Sequence, residues 1–62
     1  MDILISNERK RIDFEGDVSS LLRSLKVMRE EVVVKVNGKL APETKMITKK
    51  DKVEIIKVVF GG

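Results

Sequence analysis

The residues best suited to chemistry are the last four of the chain, Val59, Phe60, Gly61 and Gly62. Gly61 and Gly62 have no Cβ, so they can enter a cleft too narrow for any side chain. The α-carboxylate of Gly62 is ionised at neutral pH, because its reference pKa is about 3.3–3.7. We interpret Gly62 as a site of covalent attachment and Gly61 as the residue that lets the tail thread into a partner. The alternative is a chain end without function.

Val59 and Phe60 precede the glycines and are predicted to anchor a partner enzyme. An aromatic residue beside a dipeptide that cannot pack suggests contact with another protein, since aromatic anchors dominate many interfaces. The alternative is that Phe60 covers an edge of the core, because single exposed apolar residues are normal.

The rest of the sequence offers little for catalysis within the chain. It contains no Cys and no His, which removes the thiolate nucleophile, the commonest general base and the usual zinc ligands. Glu30 and Glu31 have no third ligand nearby, so we interpret them as solvated loop residues and not as a metal site. We expect no catalytic residue, no cofactor and no metal, and we predict that the protein is not an enzyme.

The charge pattern bears on nucleic acids and membranes. The chain has 13 basic and 10 acidic residues, for a net charge of +3. Basic residues at positions 9–11 and 49–52 could contact phosphates, but only Phe14 and Phe60 are aromatic. Solvated turns are therefore favoured over nucleic-acid binding. With no apolar run of membrane-spanning length and no signal-peptide pattern, we expect a cytoplasmic protein that contacts no membrane.

The elements that must position the tail form one domain, residues 1–62. Apolar–polar alternation predicts strands, and a leucine-rich stripe behind the N-cap Asp17 predicts a helix. Asn37-Gly38 predicts a tight turn. The predicted elements are strand 2–6, turn 7–10, strand 11–15, helix 18–27, strand 32–36, an irregular stretch 39–48 with one short strand or helical turn, and strand 53–59.

Two sets of apolar residues are predicted to hold these elements together. The helix stripe must be buried against a sheet, and its members are Val18, Leu21, Leu22, Leu25 and Met28. The irregular stretch is expected to be held by Leu40, Pro42, Met46 and Ile47. The order of elements predicts an α+β fold, a mixed sheet of four to five strands with one helix packed across it. The first and last strands are expected to be parallel and central, because both are apolar enough for that position.

This arrangement is the β-grasp, and the sequence resembles the small sulfur carriers of the ubiquitin-like superfamily, the ThiS and MoaD families, over nearly its whole length. The resemblance lies in segments 3–7, 17–22, 36–42 and 51–59, followed by Gly61-Gly62. ThiS is favoured because MoaD chains are usually longer. The sequence departs from the ThiS pattern at Lys50, where Gly is usual, at Met46, where Trp is frequent, and at Phe60, which is bulkier than usual.

The resemblance implies a sulfur carrier. An adenylating enzyme of the ThiF or MoeB type would activate Gly62 with ATP, and a sulfur donor would convert it to a thiocarboxylate. Thiazole synthase would then receive the sulfur for thiamin biosynthesis. One alternative is a MoaD-like carrier that serves the large subunit of molybdopterin synthase. Others are a ubiquitin-like modifier joined to lysines through Gly62 and a binding module with an idle tail.

Overall fold

The computed structural model describes residues 1–58, so Val59, Phe60, Gly61 and Gly62 lie outside the described residues. Within residues 1–58, three short strands are followed by one α-helix and one 3-10 helix, and then by four more strands. The elements are β1 (Asp2–Ile5), β2 (Glu8–Arg11), β3 (Gly16–Asp17), α1 (Val18–Ser24), the 3-10 helix (Arg29–Glu31), β4 (Val32–Val36), β5 (Lys39–Leu40), β6 (Met46–Ile47) and β7 (Lys52–Lys57).

Five of these strands form one mixed sheet in the order β2-β1-β7-β4-β5, and β3 pairs with β6 separately. β1 and β7 are parallel neighbours, with Ile3 opposite Val53 and Ile5 opposite Ile55. The other neighbours in the five-stranded sheet are antiparallel. The predicted α+β fold, with a mixed sheet and a parallel pair in its interior, is confirmed.

A single apolar core joins α1 to the inner face of the sheet. Among the described residues, no polar side chain is buried. The buried side chains are those of Met1, Ile3, Val18, Leu21, Leu22, Val34, Val36, Ile47, Val53 and Ile55. Leu25 packs at the rim of this core and is only partly buried. The prediction for Met28 is wrong: its side chain is 62% exposed, because the helix ends before it.

The two ends of α1 differ in how clearly the sequence marks them. The Asp17 carboxylate accepts a hydrogen bond from the Ser20 amide at 2.8 Å, and hydrogen bonds from Ser20 hold the pKa of Asp17 below its usual 3.8. At the other end Lys26 has a φ of 58°, and the Val27 amide donates to the Leu22 carbonyl at 2.9 Å. This is a Schellman ending. A lysine occupies the position where glycine would have marked it, so the helix is shorter than predicted.

The second strand is Glu8–Arg11, so the prediction of a strand over 11–15 is wrong. Ser6 and Asn7 have φ values of 50° and 64°, and they form a two-residue hairpin turn whose twist matches that of the strands. Every residue of β2 is exposed, because β2 is an edge strand. It therefore lacks the apolar alternation on which the prediction depended.

The apolar residues assigned to that strand lie after it. Ile12 and Phe14 pack against the core, and the Ile12 amide donates to the Met1 carbonyl at 3.0 Å. The Phe14 ring covers Gly16, where a Cβ would lie 3.1 Å from the ring. Gly16 therefore leaves room for Phe14 at the start of β3.

The stretch 39–48 is held mainly by one residue. Ile47 is 1% exposed, whereas Leu40 and Met46 are 72% and 63% exposed. The predicted anchoring role is therefore confirmed for Ile47 and wrong for Leu40 and Met46, and Pro42 is exposed as well. The chain forms two short strands here, β5 and β6, in place of the single element expected.

A polar network fixes the start of β7. The predicted Asn37-Gly38 turn is confirmed, since both residues have positive φ. The backbone N–H of Asn37 donates to the Lys52 carbonyl at 2.7 Å. The backbone N–H of Lys52 donates in return to the side-chain Oδ1 of Asn37 at 2.9 Å. Asp51 accepts from the Thr48 amide and from Asn37 Nδ2, each at 2.8 Å. These hydrogen bonds lower the pKa of Asp51 below 3.8, and the bond from the Thr48 amide has the largest effect.

Replacing Leu21 by Ala is expected to lower the free energy of unfolding by about 2–5 kcal/mol, because a cavity remains in the core. A domain of this size has only about 3–5 kcal/mol in total, so much of the variant should be unfolded. Thermal melts followed by circular dichroism measure the loss. Arg23→Ala, on the exposed side of α1, is the matched control. An L21A variant as stable as the parent would contradict the core assignment.

Asp51→Asn is expected to lower the melting temperature at neutral pH. Because folding lowers the pKa of Asp51, its carboxylate contributes stability above the unfolded value of 3.8, and this contribution is lost as the pH falls through the folded pKa. The gap between variant and parent should therefore narrow in acid, as measured by melts across a pH series. Asp13→Asn controls for the loss of one negative charge. A gap that stays constant down to the acid limit would rule out this linkage.

Candidate functional site

β7 is the element that leads into the predicted site. It pairs with β1 on one side and with β4 on the other, and Val53 and Ile55 are each 2% exposed. The Val58 amide then donates to the Glu31 carbonyl at 2.8 Å. The backbone is therefore held by hydrogen bonds as far as Val58, and the predicted site residues, Val59, Phe60, Gly61 and Gly62, follow directly outside the described residues.

The face of the sheet that points away from α1, which we call the outer face, carries an apolar strip near the end of β7. Val33 lies opposite Ile56, and Leu4 lies one strand away beside Glu54. All three apolar side chains are only partly buried. This strip is not apparent in the sequence, because its residues alternate with core residues in β1, β4 and β7. The sequence does contain a sign of it: neighbouring residues of these strands, whose side chains point to opposite faces of the sheet, are both apolar.

The other end of the outer face is charged. A shallow cavity of about 660 Å³ lies there. Cross-strand register places six charged residues of its lining on the outer face, and we call them the outer cluster: Asp2, Arg9, Arg11, Lys35, Lys52 and Glu54. Arg11 and Asp2 form an ion pair at 3.2 Å.

The structure divides the basic segments singled out in the sequence. Arg9 and Arg11 join Lys52 on the outer face, whereas Lys49 lies elsewhere and pairs with Asp13 at 3.6 Å. Register pairs Lys10 with Ile3, whose side chain is in the core, so Lys10 faces the opposite side from the outer cluster. Neither segment is therefore a continuous basic surface.

Glu30 and Glu31, considered above as a metal site, lie in the 3-10 helix and are exposed. Glu30 is 3.8 Å from Arg29 in a surface ion pair. Within residues 1–58 the structure shows no group of three His, Cys, Asp or Glu side chains placed to hold a metal. In the same range no helix is long and apolar enough to cross a membrane.

The chain is similar to proteins of known structure over its whole length. The crystal and NMR structures of a thiamine biosynthesis protein (ThiS) from Geobacter metallireducens each share 26% sequence identity with it and superpose with a TM-score of 0.68. Each match covers 100% of this chain, together with 100% of the crystallised chain and 88% of the NMR chain. No protein with a curated sequence record matches this chain.

The family comparison covers almost the whole chain. The ThiS family model matches residues 3–62, which includes both C-terminal glycines and all of the sheet except Asp2 at the start of β1. The chain therefore belongs to the ThiS family, the ThiS-like sulfur carriers of ubiquitin-like fold.

Proposed function

We propose that this protein is the sulfur carrier of a thiamine biosynthesis pathway and that it carries the sulfur on the carboxyl group of Gly62. The observation that carries the proposal is the family match, which extends through the C-terminal glycines at residues 61–62. Similarity to a thiamine biosynthesis protein over the full chain supports the same role.

The chemistry begins with the Gly62 carboxylate, which is a poor acyl donor. A partner adenylating enzyme of the ThiF type would catalyse its attack on the α-phosphorus of ATP, with release of pyrophosphate. The acyl-adenylate has AMP as its leaving group. Sulfur supplied by a donor at the sulfide oxidation level attacks the acyl carbon and displaces AMP, which gives a thiocarboxylate without any reductant. Thiazole synthase would then accept this sulfur. The carrier contributes no acid, base or metal to these steps, so it acts as a co-substrate and not as an enzyme.

The structure of residues 1–58 suits a carrier because it fixes the position of Val58, the residue that precedes the tail. β7 is paired on both sides and Val58 is hydrogen bonded to Glu31. Four extended residues beyond Val58 span at most about 13–14 Å. A partner could therefore receive Gly62 deep in a cleft while the folded domain stays at its mouth. The two glycines carry no side chain that would block such a passage.

Two sets of apolar residues are candidates for contact with the partner. We propose that Val59 and Phe60 anchor the tail in the partner, and that the apolar strip of Leu4, Val33 and Ile56 rests against the same partner. Single exposed apolar residues need no explanation, but a contiguous apolar patch indicates an interaction site. A cytoplasmic location is part of the proposal, because the adenylating partner uses ATP.

Deletion of Gly62 is expected to leave the melting temperature almost unchanged and to abolish adenylation by the cognate enzyme. Adding one Ala after Gly62 should do the same, since the carboxylate would move by about 3.5 Å. Pyrophosphate release measures the reaction. The parent chain with an added N-terminal Ala is the matched control for length. Normal adenylation of the Gly62 deletion would overturn the proposed function.

Intact mass of the protein isolated from its native host separates the alternatives. A sulfur carrier should show replacement of one oxygen by sulfur at the C-terminus. Gly-Gly remnants on lysines of other proteins after proteolysis would indicate a protein modifier instead. An unchanged carboxylate under all growth conditions would favour a binding module with an idle tail.

Phe60→Ala is expected to weaken binding to the adenylating enzyme by about 1–3 kcal/mol if Phe60 is an anchor. The melting temperature should then change little. Calorimetric titration and a thermal melt measure the two quantities on the same sample. A loss of stability with normal binding of the folded fraction would show that Phe60 belongs to the core and not to the interface.

A further inference from the structure

The outer cluster carries more positive charge than its own carboxylates neutralise. Four of its members are basic and two are acidic, and the carboxylate of Asp2 is already paired with Arg11. Within residues 1–58, Arg9, Lys35 and Lys52 form no ion pair within 4.0 Å. Lys35 and Glu54 are cross-strand neighbours, yet their charged groups do not meet. The outer cluster therefore presents unpaired cations to a partner.

The spacing of these cations indicates what kind of partner fits them. Arg9 lies on β2 and Lys35 on β4, and β1 and β7 lie between them. Strands in a sheet are about 4.8 Å apart, so the backbones at these two positions are separated by roughly 14 Å. Cations that are based on strands this far apart suit several carboxylates spread over a protein surface better than one phosphate. Leu4, between Arg9 and Glu54 in the cross-strand register, adds an apolar contact.

We propose that the outer cluster docks on an acidic surface of the adenylating enzyme that receives the tail. This inference rests on the proposed function, and it adds a second contact remote from Gly62. Exposed charges of this kind mainly accelerate association, because they orient the partners before contact. The outer cluster would thus align β7 with the cleft before the tail enters it.

The register of β7 gives the proposed contact a position. Lys52 and Lys57 stand at the two ends of β7, five residues apart, which is about 17 Å in an extended strand. Arg9 and Lys35 are level with Glu54, three residues from Lys57, or about 10 Å. The acidic surface of the enzyme should therefore lie about 10–17 Å from the mouth of its tail-binding cleft. It should face the outer side of the carrier's sheet, the side that carries Leu4 and Glu54.

The test compares two triple variants with equal loss of charge. The first is Arg9→Gln, Lys35→Gln, Lys52→Gln, which removes the unpaired cations of the outer cluster. The second, the matched control, is Arg23→Gln, Lys39→Gln, Lys50→Gln, which removes one arginine and two lysines that are exposed outside the outer cluster. Both variants are first shown to melt cooperatively near the parent temperature.

Association with the cognate adenylating enzyme is measured by stopped-flow over a series of salt concentrations, and adenylation by steady-state kinetics. The outer-cluster variant should associate about tenfold more slowly at low salt, and the difference should shrink as salt screens the charges. Its KM should rise while kcat at saturating carrier stays unchanged. The control should match the parent within about twofold. Equal association rates for the two triple variants would overturn the inference.

A carbodiimide cross-link of the parent complex, mapped by mass spectrometry, provides an independent measurement. The inference expects amide bonds from Lys35 or Lys52 to carboxylates of the enzyme, and cross-links only through Lys39 or Lys50 would contradict it. Fluorescence anisotropy with an oligothymidine probe tests nucleic acid as the occupant. Tight binding that persists at high salt would overturn the acidic-protein assignment. If the parent itself is not adenylated, the proposed function fails; if it is adenylated and the triple variants behave alike, only this inference fails.

Discussion

The pairing of β7 with β1 on one side and β4 on the other determines how the whole domain packs. β7 has one parallel and one antiparallel neighbour, so its inward residues must fill the centre of the core. Val53 and Ile55 do so. A parallel pair requires a long crossover, and the chain between β1 and β7 provides α1, which covers the inner face. The last element of the chain is therefore also the most firmly held.

This pairing has consequences for function. In the function proposed above, β7 leads to the group that carries the sulfur, and a chain of 62 residues has little stability to spare. Because β7 is paired on both sides, contact with a partner beyond Val58 need not unfold the domain at that point. The polar network of Asn37 and Asp51 secures the opposite end of β7. No polar side chain among the described residues is buried, so their polar chemistry is available at the surface.

The sequence predicted the elements whose burial is periodic. β4, α1 and β7 alternate or repeat in the way that a buried face requires. The prediction of a parallel interior pair followed from the apolar content of β1 and β7. Prediction of secondary structure from the sequence failed where burial does not determine the backbone conformation. β2 is an exposed edge strand defined by positive φ at Ser6 and Asn7, and α1 ends at a lysine in a position that usually contains glycine. Both features depend on backbone conformation, which a hydrophobic pattern does not record.

The C-terminal site can be proposed from the sequence alone and stays a prediction, whereas its surroundings required the fold. Two glycines at the end of a strand are visible in the sequence without any fold. The outer cluster is not, because Arg9, Lys35 and Lys52 are far apart in the chain and become neighbours only through strand order and register.

Residues 9–11 form one basic segment in the sequence. In the pleated strand, however, Arg9 and Arg11 point to one face of the sheet and Lys10 points to the other. The charged residues of a strand therefore indicate a binding surface only after each one has been assigned to a face of the sheet. On this sheet the inner face was committed to the core by Ile3, Val53 and Ile55. In the docking proposed above, the charges that meet the partner come from the positions between them.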